Sequence, residues 1–140
     1  MIKITQKQAP QFRALIKAKD TDDLFDASLD LATAADLTTE GINKAPITYT
    51  IYKSTNEIAP YVSSTESAIP VEGYEDVELT SDAFIAPSDV EEAGLDYNFC
   101  FTPANRATFA FPDVGNYFVD VLIYPKTGAA IVFRVPVQVA

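Results

Sequence analysis

The sequence predicts an all-β protein, a single immunoglobulin-like β-sandwich over residues 1–140 of about seven strands, with one short helical turn near 88–93. Three observations predict it. Apolar residues alternate at the two-residue period of a half-buried strand in segments punctuated by prolines at 10, 46, 60, 70, 87, 103, 112, 125 and 136. Asp113-Val114-Gly115-Asn116-Tyr117 opens one such segment in the form of a tyrosine corner. In that motif a buried Tyr returns its hydroxyl to backbone a few residues upstream and pins the sixth strand of a sandwich. Finally, runs 117–124 and 131–139 flank Pro125-Lys126-Thr127-Gly128, where Gly suits a positive φ and closes a hairpin.

The elements follow in chain order. Over 11–18, Phe12, Ala14, Ile16 and Ala18 face one way and Arg13, Leu15 and Lys17 the other, which predicts a strand with one buried face. Residues 20–37 fit two patterns. Leu24, Phe25, Ser28, Leu31, Ala32 and Ala35 lie on a helical stripe, while Leu29 and Leu31 alternate with aspartates; short extended pieces in a long loop are favoured. Pro46-Ile47-Thr48-Tyr49-Thr50-Ile51-Tyr52 is β-branched and aromatic throughout, a strand with Ile47, Tyr49 and Ile51 on one face. The polar stretch 54–73, with Pro60, Pro70 and Gly73, reads as surface chain, and Val77 and Leu79 as a short strand. Ser88 with Glu91 three residues on is a capping-box pattern for the turn at 88–93, stopped by Gly94. Tyr97, Phe99 and Phe101 alternate with Asn98 and Cys100. In the last run Ile131, Phe133, Val135, Val137 and Val139 share a face; Pro136 lacks a ladder donor and argues for an edge strand.

Composition excludes several chemistries. The chain has no His, so Ser-His-Asp and Cys-His catalysis and His-ligated metal are impossible within it. Cys100 is the only cysteine, which forbids an intrachain disulfide and a thiolate zinc site; between Phe99 and Phe101 it reads as a buried, inert thiol. Where antibody domains place the second Cys, two residues past the corner tyrosine, this chain has Val119. No apolar run approaches the roughly 20 residues that span a bilayer, and the residues after Met1 never develop the apolar core of a signal peptide. The expectation is a product made in a cytoplasm, with no membrane partner and no cofactor.

Charge is uneven. The net charge is −10, yet residues 1–19 hold Lys3, Lys7, Arg13, Lys17 and Lys19 and no acid. The remainder carries five basic and twenty acidic side chains, a body that repels nucleic acid. The basic edge guards an exposed strand against aggregation or docks on an acidic neighbour, another copy of the protein included. Arg13, Lys17 and Lys19 are candidate contacts on the second reading.

The acidic clusters read as solvated surface. With Asp20 as first ligand, a calcium loop would need Gly at Phe25 and Glu at Leu31. Glu72, Glu75, Asp76 and Glu78 could serve glycoside hydrolysis only across a sugar cleft, and Asp89, Glu91 and Glu92 suit a first helical turn. No catalytic, metal or cofactor residue is assigned. Tyr52, Phe118 and Tyr124 fall opposite the main apolar alternation, so either the second face is covered or they form a patch for a partner, protein or sugar.

The order of Met1-Ile2-Lys3-Ile4-Thr5-Gln6, Asp36-Leu37-Thr38, Ile47-Thr48-Tyr49-Thr50-Ile51-Tyr52-Lys53-Ser54, Gly115-Asn116-Tyr117-Phe118-Val119-Asp120-Val121, Gly128 and Phe133-Arg134-Val135-Pro136-Val137 resembles the small immunoglobulin-like domains of tailed-bacteriophage virion proteins, notably the N-terminal domain of baseplate upper proteins. The resemblance implies a non-enzymatic structural protein of the virion, an accessory or adaptor subunit whose partners are tail, baseplate, neck or capsid proteins or copies of itself. Capsid decoration and carbohydrate binding are the alternatives.

Overall fold

The computed structural model describes residues 2–18, 21–54, 68–104 and 108–140. Among these, eight strands form two sheets: β1 Ile2–Ile4, β2 Phe12–Ala14, β3 Ile47–Ser54, β4 Ala68–Pro70, β5 Val77–Glu78, β6 Phe99–Phe101, β7 Gly115–Ile123 and β8 Ile131–Val139. Three short helices, α1 Ala27–Asp30, α2 Ala34–Thr39 and α3 Pro87–Ala93, lie between strands. The larger sheet runs β1-β8-β7-β3-β4, with β5 also on β3; the smaller pairs β2 with β6. All pairings are antiparallel except β1 on β8.

The long strands form where sequence alternation is cleanest. β7 and β8 pair from Gly115↔Val139 to Ile123↔Ile131, and β3 pairs with β7 from Ile47↔Ile123 to Lys53↔Tyr117. That register stacks Ile47, Tyr49 and Ile51 beside Tyr117, Val119, Val121 and Ile123, all buried. The smaller sheet supplies Phe12, Phe99 and Phe101 to the same cluster. Tyr49 packs on Phe101 at 4.8 Å between ring centroids, and Phe99 meets Phe133 edge-on at 6.0 Å. Burying each such side chain contributes about 1.5–3 kcal/mol, so these rings dominate the attraction between the layers.

Several expectations need correction. Regular pairing of the first alternating segment stops at Ala14, although Ile16 stays buried and Leu15 and Lys17 exposed. Beyond Ala14 a side chain replaces the ladder: Asn98 accepts from the Ile16 N–H at 2.7 Å and donates to the Ile16 carbonyl at 2.8 Å. Asn98 is thus fully buried, although alternation placed it outside. Of the segment 20–37, Asp20 lies outside the described residues; the rest holds two short helices as well as extended bridges at Leu24 and Leu31. Asp26 caps α1 through the Ser28 N–H, and Thr33 with Asp36 forms a reciprocal capping box on α2. Leu31 and Ala32 interrupt them because they bond to the β7–β8 connection, Leu31 bridging Pro125 and the Ala32 N–H donating to Tyr124.

Of the supposed surface stretch 54–73, residues 55–67 lie outside the described residues. The remainder is not merely surface: β4 pairs with β3, and Val71 is buried. The predicted helical turn is longer, Pro87–Ala93, and its capping box is not made. Pro87 takes the first helical position, which puts Ser88 inside the helix and leaves Ala86 as a cap with no side-chain bond. Gly94 ends it in the left-handed conformation at φ 63°. Cys100 is half-buried, because β6 turns it away from the core and opposite Arg13. β8 is not a simple edge strand either: β1 covers Val137–Val139, next to Pro136.

Candidate interaction surface

Gly115 at φ 147° lets the chain turn into β7 where an added Cβ would stand 3.5 Å from Lys53 Cε. Two residues on, Tyr117 is fully buried, its ring edge-on to Phe111 at 5.3 Å. Its hydroxyl donates to the Asp113 carbonyl at 2.9 Å and accepts from the Asp113 N–H at 3.1 Å. Burial raises the phenol's pKa, against the lowering effect of the Asp113 backbone bond. Asp113 keeps its carboxylate outside, 3.5 Å from Lys53 Nζ. A second phenol does similar work. Tyr74, also fully buried, donates within reach of the carbonyls of Thr108 at 2.7 Å and Ala104 at 3.0 Å. Sequence reasoning missed Tyr74 because it falls in a polar stretch with no periodicity; Gly73 at φ 85°, directly before it, was the available signal.

The outer face of the larger sheet brings together part of the aromatic set. Tyr52 and Phe118 are cross-strand partners whose rings stack at 4.9 Å. Arg134 lies over Phe118, its guanidinium carbon 4.0 Å from the ring centroid, and forks onto Asp120 at 2.7 and 2.9 Å. The side-chain bond to Asp120 holds the guanidinium still more firmly protonated, while desolvation and then Asp120 raise the Tyr52 pKa. Phe118 is fully buried, which removes it as a candidate contact: its neighbours cover it. Tyr52 remains half-exposed. Tyr124 sits six positions along from Phe118, about 20 Å at strand rise, and its backbone is engaged by Pro46 and Ala32. The three aromatics therefore form no common patch.

Of the basic candidates, Arg13 stands on the outer side of the smaller sheet and Lys17 follows past the end of β2. Arg13 lies flat over Tyr97, its guanidinium carbon 4.5 Å from the ring centroid, and its Nε donates to Gln11 at 2.7 Å. Leu15 follows at 52% exposure, then Lys17, whose Nζ is 4.0 Å from Asp22. Lys19 lies outside the described residues. The strip Arg13-Leu15-Lys17, with Tyr97 beside it, is held from behind by Asn98. Leu15 and Tyr97 were not singled out from sequence, where each looks like one more member of an alternating run.

The acidic clusters do local work. Asp26, Asp36 and Asp89 lie at helix starts, and exposed Asp76 pairs with Lys44 at 3.2 Å. Among the described residues no group of three or more His, Cys, Asp or Glu is placed to hold a metal ion, and no helix is long and apolar enough to cross a membrane. No protein-family model, curated protein or solved structure matches the chain.

Proposed function

We propose that this protein is a non-enzymatic structural subunit of a tailed-bacteriophage virion, an adaptor that grips neighbouring tail, baseplate or neck proteins through its smaller sheet. The observation that carries the binding reading is the strip Arg13-Leu15-Lys17 with Tyr97: a stacked guanidinium, a protruding leucine and a second cation on β2 and the chain just past it. Arginine and aromatic side chains dominate the energetics of protein interfaces, and a stacked guanidinium has already given up much of its freedom. A strip of that sign on a body of net charge −10 favours an acidic protein surface.

The immunoglobulin-like reading of the sandwich has topological support. In the lettering of those domains, β8-β7-β3-β4 follows the order G-F-C-C′ and β2-β6 the pair B-E, with the corner tyrosine at the start of F. Assignment to a virion rests on the sequence resemblance. Capsid decoration fits the same surface and differs in copy number. Carbohydrate binding through the aromatics is disfavoured, because Phe118 beside Tyr52 is buried and Tyr124 lies about 20 Å along from it.

The test is incorporation into purified particles, read by mass spectrometry. Arg13→Glu with Lys17→Glu is expected to reduce incorporation more at low than at high ionic strength, as screening of exposed charge requires. Equal loss at both would mean misfolding, and a wild-type protein absent from particles would remove the proposal.

A further inference from the structure

The strip does not end in neutral surface. Past Lys17 the chain folds back, Lys17 bridging Leu24 and the Ala18 N–H donating to the Asp23 carbonyl at 2.8 Å. The fold-back opens into a groove of about 920 Å³ between the 21–30 segment and α3. Its apolar part includes Leu24, Leu29 and Leu95, with Leu29 protruding at 68% exposure. Asp23, Asp30 and Glu91 stand among the acids along it, and among the described residues no Lys or Arg lines it. The strip reaches the same groove by a second route, since Leu95 lies two residues before Tyr97. A cationic half with a protruding leucine therefore adjoins an anionic half with a protruding leucine.

We propose that this face is an isologous interface between two copies of the chain, the strip of each seated in the groove of the other. A two-fold axis through the junction at Lys17–Leu24 pairs opposite charges twice in one contact, which is how a single patch becomes self-complementary. Each leucine then meets apolar surface of the partner copy instead of water. With a net charge of −10 two copies repel at long range, so a self-contact that pairs opposite charges is favoured over one that does not. This rests on the reading of the strip as a contact surface and names its occupant.

The experiment is sedimentation equilibrium of the purified full-length chain at low and high salt. A dimer is expected at low salt that loosens as salt rises. Arg13→Glu and Asp23→Lys are each expected to weaken it about tenfold or more, and Leu29→Ala to weaken it at both salts. Neither charge variant breaks a backbone contact of the fold-back. An equimolar mixture of the two restores association, since each copy's altered half meets a complementary partner. A monomer under all conditions, a dimer indifferent to these changes, or a mixture without rescue overturns the proposal. If Arg13→Glu impairs particle incorporation while the wild-type protein sediments as a monomer, the strip binds another protein and only the self-contact falls.

Discussion

Tyr117 and Asn98 do the same kind of work, each satisfying a backbone N–H and carbonyl with one side chain, yet only Tyr117 was legible in the sequence. Its partner Asp113 is four residues away, so the whole motif fits a short window. The partner of Asn98 is 82 residues away, and no local pattern announces it. Tyr117→Phe is expected to lower stability by about 1 kcal/mol in urea unfolding, the net worth of a hydrogen bond. Asn98→Ala leaves the Ile16 N–H and carbonyl buried without that partner and should cost about 2 kcal/mol or more. The raised pKa of Tyr117 sets a sign at alkaline pH. Stability from the neutral phenol is complete below the unfolded pKa near 10 and is lost as pH rises through the higher folded value. Stability measured across that range should fall less steeply for Tyr117→Phe than for wild type. Phe118 shows the opposite limit of sequence reading. Alternation puts it on the outer face correctly, but only the cross-strand register shows Tyr52 and Arg134 covering it.

At the scale of elements, β3, β7 and β8 were readable because eight or nine alternating residues leave one solution for the register. The helices α1 and α2 were not, since four and six residues are too few to show a helical period. Their caps decide the matter instead. Thr33 bonds lower the pKa of Asp36, first through its backbone and then through its side chain. That contribution is present above the unfolded carboxyl pKa and is lost as pH falls through the lower folded one. Asp36→Asn should therefore flatten the acid limb of the stability profile, read as urea midpoint against pH. At the other helix, Gly94→Ala meets open space but must hold φ 63°, so it should cost about 1 kcal/mol in thermal unfolding.

For the molecule as a whole, composition excluded histidine chemistry and uneven charge pointed to the basic strip, both properties that survive without knowing contacts. The groove beside the strip was hidden because it is made by segments far apart in sequence, 21–30 and 87–95. Deleting residues 1–7 would remove β1 from Val137 and Val139, which are 0% and 1% exposed, and open the backbone edge they share. The truncated chain should melt lower and aggregate on heating, seen by light scattering alongside circular dichroism.

The parallel seat of β1 on β8 carries a consequence for synthesis. Among the described strands β1 leaves the ribosome first, and the strand it needs leaves last, after every other piece of both layers. Until then β1 has no docking partner and β7 lacks one of its two flanks. Completion of the sheet waits until β8 has emerged, which leaves the unpaired β structure in need of shielding until then.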